Sequence, residues 1–99
     1  MALFLIERTY AEQLNLATDA AEAIDATEAY NAEHDLTWLF SFLSADKRKS
    51  YCLYEAPDAQ SLIEHAEALG LPADAIVEVT EMNPKLWGSG KSVTGHPAG

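Results

Sequence analysis

The sequence predicts an α+β domain in which two helices cover one face of a four-stranded antiparallel sheet. Segments rich in β-branched and aromatic residues alternate with segments rich in alanine and glutamate, in the order β, α, β, β, α, β. A chain of 99 residues is long enough for one modest core. This order of elements is that of the ferredoxin-like fold, also called the split βαβ arrangement.

The first half of the predicted fold is one strand and one long helix. Residues 2–8 are too few and too apolar for a surface helix, so they predict a strand that is buried on both faces. Residues 11–33 predict an amphipathic helix, because small or apolar residues recur at spacings of three and four among good helix formers. The residues expected to face inward are Leu16, Ala20, Ala23, Ile24, Thr27 and Tyr30.

The second half predicts a strand pair, a short helix and a last strand. Residues 36–44 and 50–56 are rich in aromatic residues and are joined by a short polar connection, as in a hairpin. Asp58 is a favourable N-cap for the second helix, and Gly70 is a favourable stop. Residues 75–82 have the β-branched content of a fourth strand.

The chain divides into a ferredoxin-like domain over residues 1–84 and a tail over residues 85–99. The tail is rich in glycine, serine and proline. Such a segment buries too little apolar surface to offset the entropy lost on ordering. We therefore expect the tail to be flexible.

Both faces of the second predicted strand are apolar. Strict alternation puts Trp38, Phe40 and Phe42 on one side of the sheet. Leu39 and Leu43 then lie on the other side. Since the helices cover only one face, a second copy of the sheet is expected to cover the other, in a symmetric homodimer of the dimeric α+β barrel type.

Composition argues against two classes of partner. The chain has 16 acidic and 6 basic residues, and its formal charge of -10 repels nucleic acid phosphates and attracts cations. No apolar stretch approaches the roughly 20 residues needed to span a bilayer. Met1 is followed by a short apolar run without a basic region, and Cys52 is the single cysteine. A cytoplasmic protein without membrane or nucleic acid contacts is therefore expected.

The candidates for chemistry are isolated side chains, since the sequence has no phosphate-binding glycine loop, zinc-type cysteine pair or nucleophile elbow. His65 follows Leu62 by three residues and precedes Leu69 by four, which puts its imidazole on the inward side of the second helix. Its role is open between a hydrogen-bonded core residue, a metal ligand and a general base. Cys52 is either a small buried hydrophobe or a thiolate ligand. Glu55 either faces solvent or points between sheet and helix.

Residues 38–79 resemble a family of small bacterial ferredoxin-like proteins that has nickel-binding members. The most specific motifs are YCLYEAP at residues 51–57, EHA at 64–66 and GLPA at 70–73, with a weaker IER run near the start. The resemblance implies a homodimer with facing sheets that binds a divalent metal ion, and it implies nickel as that ion. The hairpin connection and the glycine-rich tail depart from the family pattern.

Under this interpretation the metal ligands are His65 as the nitrogen donor, Glu55 as a carboxylate and Cys52 as a third donor. Nickel(II) accepts imidazole and carboxylate ligands and often keeps water in an octahedral shell. His65 and Glu55 alone would bind a metal weakly, so a contribution from the dimer partner is expected.

Two other functions remain open. A small dimeric α+β barrel enzyme, or a ligand-binding protein, would hold an organic ligand between helices and sheet, with Tyr51, Tyr54 or His65 moving a proton. No second titratable group stands at a fixed spacing from His65, which weighs against catalysis. The third alternative is an interaction module whose dimer is itself the product.

Overall fold

The computed structural model describes residues 1–14 and 20–87. Within these ranges four strands and three helices form, and the first six elements follow the predicted order. The strands are β1 (Ala2–Thr9), β2 (Thr37–Leu43), β3 (Lys49–Ala56) and β4 (Ala75–Val79), and the helices are α1 (Ala20–Glu33), α2 (Ala59–Leu69) and α3 (Pro84–Trp87).

The four strands form one antiparallel sheet in the order β2-β3-β1-β4. In the central strand β1, Ile6 lies opposite Cys52 of β3 and Ile76 of β4. Alternate residues of β1 and β3 are buried, which marks the face that the helices cover. Leu62 of α2 joins the core on this face, together with Phe4. The ferredoxin-like prediction is confirmed.

Helix α2 begins and ends where its capping residues predict. The side chain of Asp58 accepts a hydrogen bond from the backbone N–H of Ser61 at 2.8 Å. Gly70 takes the left-handed conformation with φ 66°, which favours glycine and ends the helix. The buried residues of α2 are Leu62, His65 and Ala66.

The helix predicted over residues 11–33 is wrong at its start. Residues 11–14 are irregular, and the described part of α1 begins at Ala20. The backbone N–H of Leu14 donates to the carbonyl of Lys47 in the β2–β3 connection at 2.9 Å. Because tertiary hydrogen bonds hold this segment against the hairpin, local helix propensity does not decide its conformation. The predicted inward residue Leu16 lies outside the described residues.

The alternation predicted along β2 is wrong because a β-bulge interrupts it. Trp38 pairs with Tyr54, and the next pair is Phe40 with Leu53. Two residues of β2 therefore lie opposite one residue step of β3, and Leu39 is the extra residue. Trp38 therefore lies on the helix-covered face with Tyr54. Phe40 and Phe42 lie on the opposite face.

That opposite face, which we call the open face, is largely apolar. Its apolar members are Leu3, Leu5, Phe40, Phe42, Leu53, Val77 and Val79. In the isolated protomer Phe40 and Val77 are each 51% exposed. A contiguous apolar surface of this kind is typical of a contact surface.

The last described element, α3, crosses the predicted boundary between the domain of residues 1–84 and the tail. Residues 88–99, which make up most of the predicted tail, lie outside the described residues. Among the described residues, no helix has both the length and the apolar character needed to cross a bilayer.

Candidate functional site

A chain of hydrogen-bonded polar side chains lies buried between the helices and the sheet. Nη2 of Arg8 donates to Nε2 of His65 at 3.0 Å. Nδ1 of His65 lies 3.0 Å from Oδ1 of Asn31. Nδ2 of Asn31 donates to the hydroxyl of Tyr54 at 3.4 Å. We call Arg8, Asn31, Tyr54 and His65 the polar network.

The tautomer of His65 follows from its two neighbours. A guanidinium has no acceptor, so Nε2 must be the unprotonated nitrogen that accepts from Arg8. The proton therefore lies on Nδ1, which donates to Oδ1 of Asn31. Among the described residues, every buried side-chain nitrogen and oxygen has a hydrogen-bond partner. A fully satisfied buried network of this kind rigidifies the core.

Four elements position the polar network, and β3 contributes Tyr54. Arg8 continues the buried alternation of Phe4 and Ile6 along β1, so its side chain is on the helix-covered face. His65 lies on the buried stripe of α2, one turn after Leu62. Asn31 is a buried residue of α1. The polar network therefore joins the sheet to both helices.

Burial and the adjacent guanidinium of Arg8 lower the pKa of His65 to about 4. A proton on Nε2 would remove the acceptor of Arg8 and put two positive charges side by side. Burial also raises the pKa of Tyr54 to about 12. Both side chains are therefore neutral at physiological pH, and Arg8 is the charged member of the polar network.

Aromatic rings surround the imidazole of His65. It meets Tyr54 edge to face at a centroid distance of 5.1 Å and Tyr30 at 5.8 Å. On its other side Tyr54 stacks in parallel on Trp38 at 6.1 Å. These contacts hold the ring plane of His65 in the orientation that its two hydrogen bonds require.

A cavity of about 390 Å³ lies beside the polar network, between α1 and the sheet. Arg8 and Tyr54 form part of its wall, together with the small polar side chain of Ser50. Most of the wall is apolar and includes Leu14, Ala23, Ile24, Trp38, Leu43 and Leu71. Phe42, on the edge strand β2, also borders the cavity although its register puts it on the open face. The volume falls within the range of small-molecule sites, roughly 300 to 1,000 Å³.

The three predicted metal donors lie in different surroundings. Both ring nitrogens of His65 are engaged in the polar network. Cys52 is a buried free thiol on the helix-covered face, with its sulfur 3.7 Å from Oγ of Ser50. Glu55 alternates with the buried residues of β3 and pairs with Leu3, so it lies on the open face. His65 and Cys52 are thus on one side of the sheet and Glu55 is on the other.

Within one protomer these three donors do not converge on a metal site. In residues 1–14 and 20–87, no group of three or more His, Cys, Asp or Glu side chains is arranged to hold a metal ion. A cation at Nε2 of His65 would displace the hydrogen bond from Arg8 and lie beside a positive charge. A multidentate site therefore needs donors from a second protomer or from outside these ranges.

Arg8 and Asn31 are the site residues whose roles the sequence alone does not reveal. For Arg8 a signal exists, because it extends the inward alternation of Phe4 and Ile6. Asn31 follows the buried Thr27 by four residues, so helical spacing puts both on one side of α1. Neither pattern shows that the two side chains meet at one imidazole.

The fold and the site define a small ferredoxin-like α+β domain in which a neutral histidine and a buried arginine lie beside an apolar cavity. Residues 4–79 match the family described as nickel responsive protein SCO4226-like, and the chain belongs to this family. The family resemblance found in the sequence is thereby confirmed.

The crystal structure of SCO4226 from Streptomyces coelicolor A3(2) has a similar fold. The TM-score is 0.71 at 22% sequence identity, and the match covers 83% of this chain and 100% of that chain. No curated protein is significantly similar to the chain in sequence. The structural likeness supports the ferredoxin-like architecture.

Proposed function

We propose that this protein is a cytoplasmic homodimer that binds nickel(II), with its open faces packed together and metal ligands drawn from both protomers. The observation that carries the proposal is that residues 4–79 belong to a family described as nickel responsive. The formal charge of -10 supports it, because an acidic surface concentrates divalent cations.

The apolar open face supports the dimer. Phe40 and Phe42 meet edge to face at 5.5 Å and are both exposed in the protomer. Val77 is exposed at the other edge of the same face. A second copy of this face would remove these side chains from water in a symmetric contact.

Light scattering coupled to gel filtration is expected to give twice the protomer mass of 10.8 kDa. Phe40→Glu would bury an unpaired charge in the interface and is expected to weaken dimerisation about 100-fold or more. The matched control is Ile63→Glu on α2, since Ile63 is 40% exposed and lies away from the open face. A wild-type monomer at micromolar concentration would contradict the proposed assembly.

Of the three predicted ligands, Glu55 is the one that we propose binds nickel directly. Its carboxylate belongs to the open face, which a second copy would approach. His65 and Cys52 are on the other side of the sheet, and binding by His65 would disrupt the polar network. Carboxylates from two protomers, with water in the remaining positions, suit the octahedral preference of nickel(II).

Calorimetry of untagged protein is expected to show saturable binding of nickel chloride at neutral pH and physiological salt. Magnesium chloride is the reference for the weak association that any acidic surface gives. Glu55→Gln is expected to lower the nickel affinity at least about tenfold, because it removes a ligand. Glu67→Gln removes the same charge from the exposed side of α2 and is expected to leave the affinity nearly unchanged.

Equal effects of the two glutamine variants would show that only the total charge matters, and the proposed ligand would then be wrong. His65→Gln provides a further comparison. If that variant folds but loses nickel binding while Glu55→Gln retains it, the metal site lies inside the polar network instead.

A further inference from the structure

Arg8 is a buried cation whose protein partners in the described part of the chain are all neutral. Its guanidinium donates to the carbonyl of Pro72 at 2.8 Å and to Nε2 of His65 at 3.0 Å. The ion pair formed among the described residues joins Lys49 to Glu7 and does not involve Arg8. Because a buried charge is costly without a counter-charge, this arrangement favours an anion beside Arg8.

The space beside Arg8 can accept such an anion. Arg8 is only 2% exposed, yet it lines the cavity of about 390 Å³ between α1 and the sheet. Pro72, His65 and the neighbouring Tyr54 hydroxyl engage at most three of the five N–H groups of the guanidinium, and its fork geometry matches a carboxylate. Tyr54, whose hydroxyl accepts a hydrogen bond from Asn31, also lines the cavity.

The rest of the cavity wall selects for an apolar body. Leu14, Ile24 and Leu43 line it, and Trp38 supplies an aromatic surface. The protein as a whole carries a formal charge of -10, so small hydrophilic anions are repelled at long range. A ligand that carries its acid on an apolar body offsets this repulsion by burying apolar surface.

We propose that this cavity binds a small organic acid, with the carboxylate against Arg8 and the apolar body between α1 and the sheet. This binding site lies on the helix-covered face, whereas the proposed nickel ligand Glu55 lies on the open face. The two functions are therefore separable by mutation.

Octanoate and 1-octanol form a matched probe pair, because they share an alkyl chain of the same length and differ in the acid group. Titration of the full-length protein, followed by two-dimensional NMR, is expected to shift the Arg8 Nε–H and the backbone signals around the cavity. Octanoate is expected to bind at least about tenfold more tightly than 1-octanol, as for a charge-assisted contact. Raising the salt concentration is not expected to weaken octanoate binding, because salt screens the buried contact little and reduces the repulsion by the acidic surface.

Two variants test the contact with Arg8 and the apolar part of the cavity separately. Arg8→Met is expected to lower octanoate affinity to that of 1-octanol. Ile24→Trp leaves the polar network intact and fills the cavity, so it is expected to lower the affinity for both probes about tenfold or more. Its matched control is Ile63→Trp, because Ile24 and Ile63 are 42% and 40% exposed and only Ile24 lines the cavity. Nickel titration of Ile24→Trp is expected to match that of the wild type.

Equal affinity of the wild type for octanoate and 1-octanol would overturn the proposal, and so would the absence of saturable shifts at the cavity. Octanoate shifts confined to the open face would also overturn it. If Arg8→Met does not fold, the proposal is still tested by two results: the preference of the wild type for octanoate over 1-octanol, and the loss of affinity for both probes in Ile24→Trp.

Discussion

Replacing His65 with alanine is expected to lower the free energy of unfolding by about 3 to 4 kcal/mol. The substitution removes a ring that is fully buried and packed against Tyr30 and Tyr54. It also leaves Oδ1 of Asn31 without its donor and removes an acceptor from the buried guanidinium of Arg8. Urea unfolding followed by circular dichroism measures the change, at one fixed protein concentration because dimerisation would add to stability.

The matched control is His34→Ala, at the exposed end of α1. Nδ1 of His34 lies 2.8 Å from the carbonyl oxygen of Tyr30, and its ring stacks on Tyr30 at 3.8 Å, with one side open to solvent. Its replacement is expected to cost less than about 1 kcal/mol. Equal losses in the two variants would show that the polar network does not dominate the stability of the helix-covered face.

Acidification from pH 6.5 to pH 4 is expected to remove about 3 kcal/mol of the stability that His65 contributes. The pKa of this imidazole is about 4 in the folded protein, and its ordinary value of 6.5 applies to the unfolded chain. Between these values the unfolded chain binds the proton and the folded protein does not. The contribution is therefore fully present above pH 6.5 and is lost as the pH falls through 4.

Other groups titrate in the same pH range, so the measurement needs a variant that lacks only the titrating ring. In His65→Gln the amide oxygen can accept from Arg8 and the amide nitrogen can donate to Asn31, but the side chain does not titrate. The stability advantage of the wild type over His65→Gln is expected to shrink by about 3 kcal/mol between pH 6.5 and pH 4. Parallel stability curves for the two proteins would contradict the lowered pKa.

The two experiments also bear on Arg8, because His65 is one of the groups that hold its guanidinium beside the cavity. Protonation of His65 would remove that acceptor and repel the guanidinium. The neutral form of His65 is thus one of the groups that hold the charged side chain of Arg8 in the core at neutral pH.

Much of the fold follows from local patterns. The period-two alternation of Phe4 and Ile6 identifies β1 and its buried side. Asp58 and Gly70 mark the ends of α2 through the chemistry of single residues. These signals succeed because each depends only on residues close in the chain.

Two local predictions failed where distant residues intervene. The helix does not extend over residues 11–14, since Leu14 is hydrogen-bonded to the hairpin at Lys47. The alternation of β2 changes phase between Trp38 and Phe40, because the bulge depends on pairing with β3. Pairing partners are not encoded in the pattern of a single strand.

The amino-acid sequence alone was sufficient for the order of the elements, the inward position of His65 and the family. The tertiary structure decided what His65 contacts, and it put Glu55 on the opposite side of the sheet from His65 and Cys52. Arg8 and His65 are 57 residues apart in the chain, and Asn31 and His65 are 34 residues apart. Short-range periodicity indicates which side of an element is buried, but the partner of a buried polar group depends on how whole elements pack.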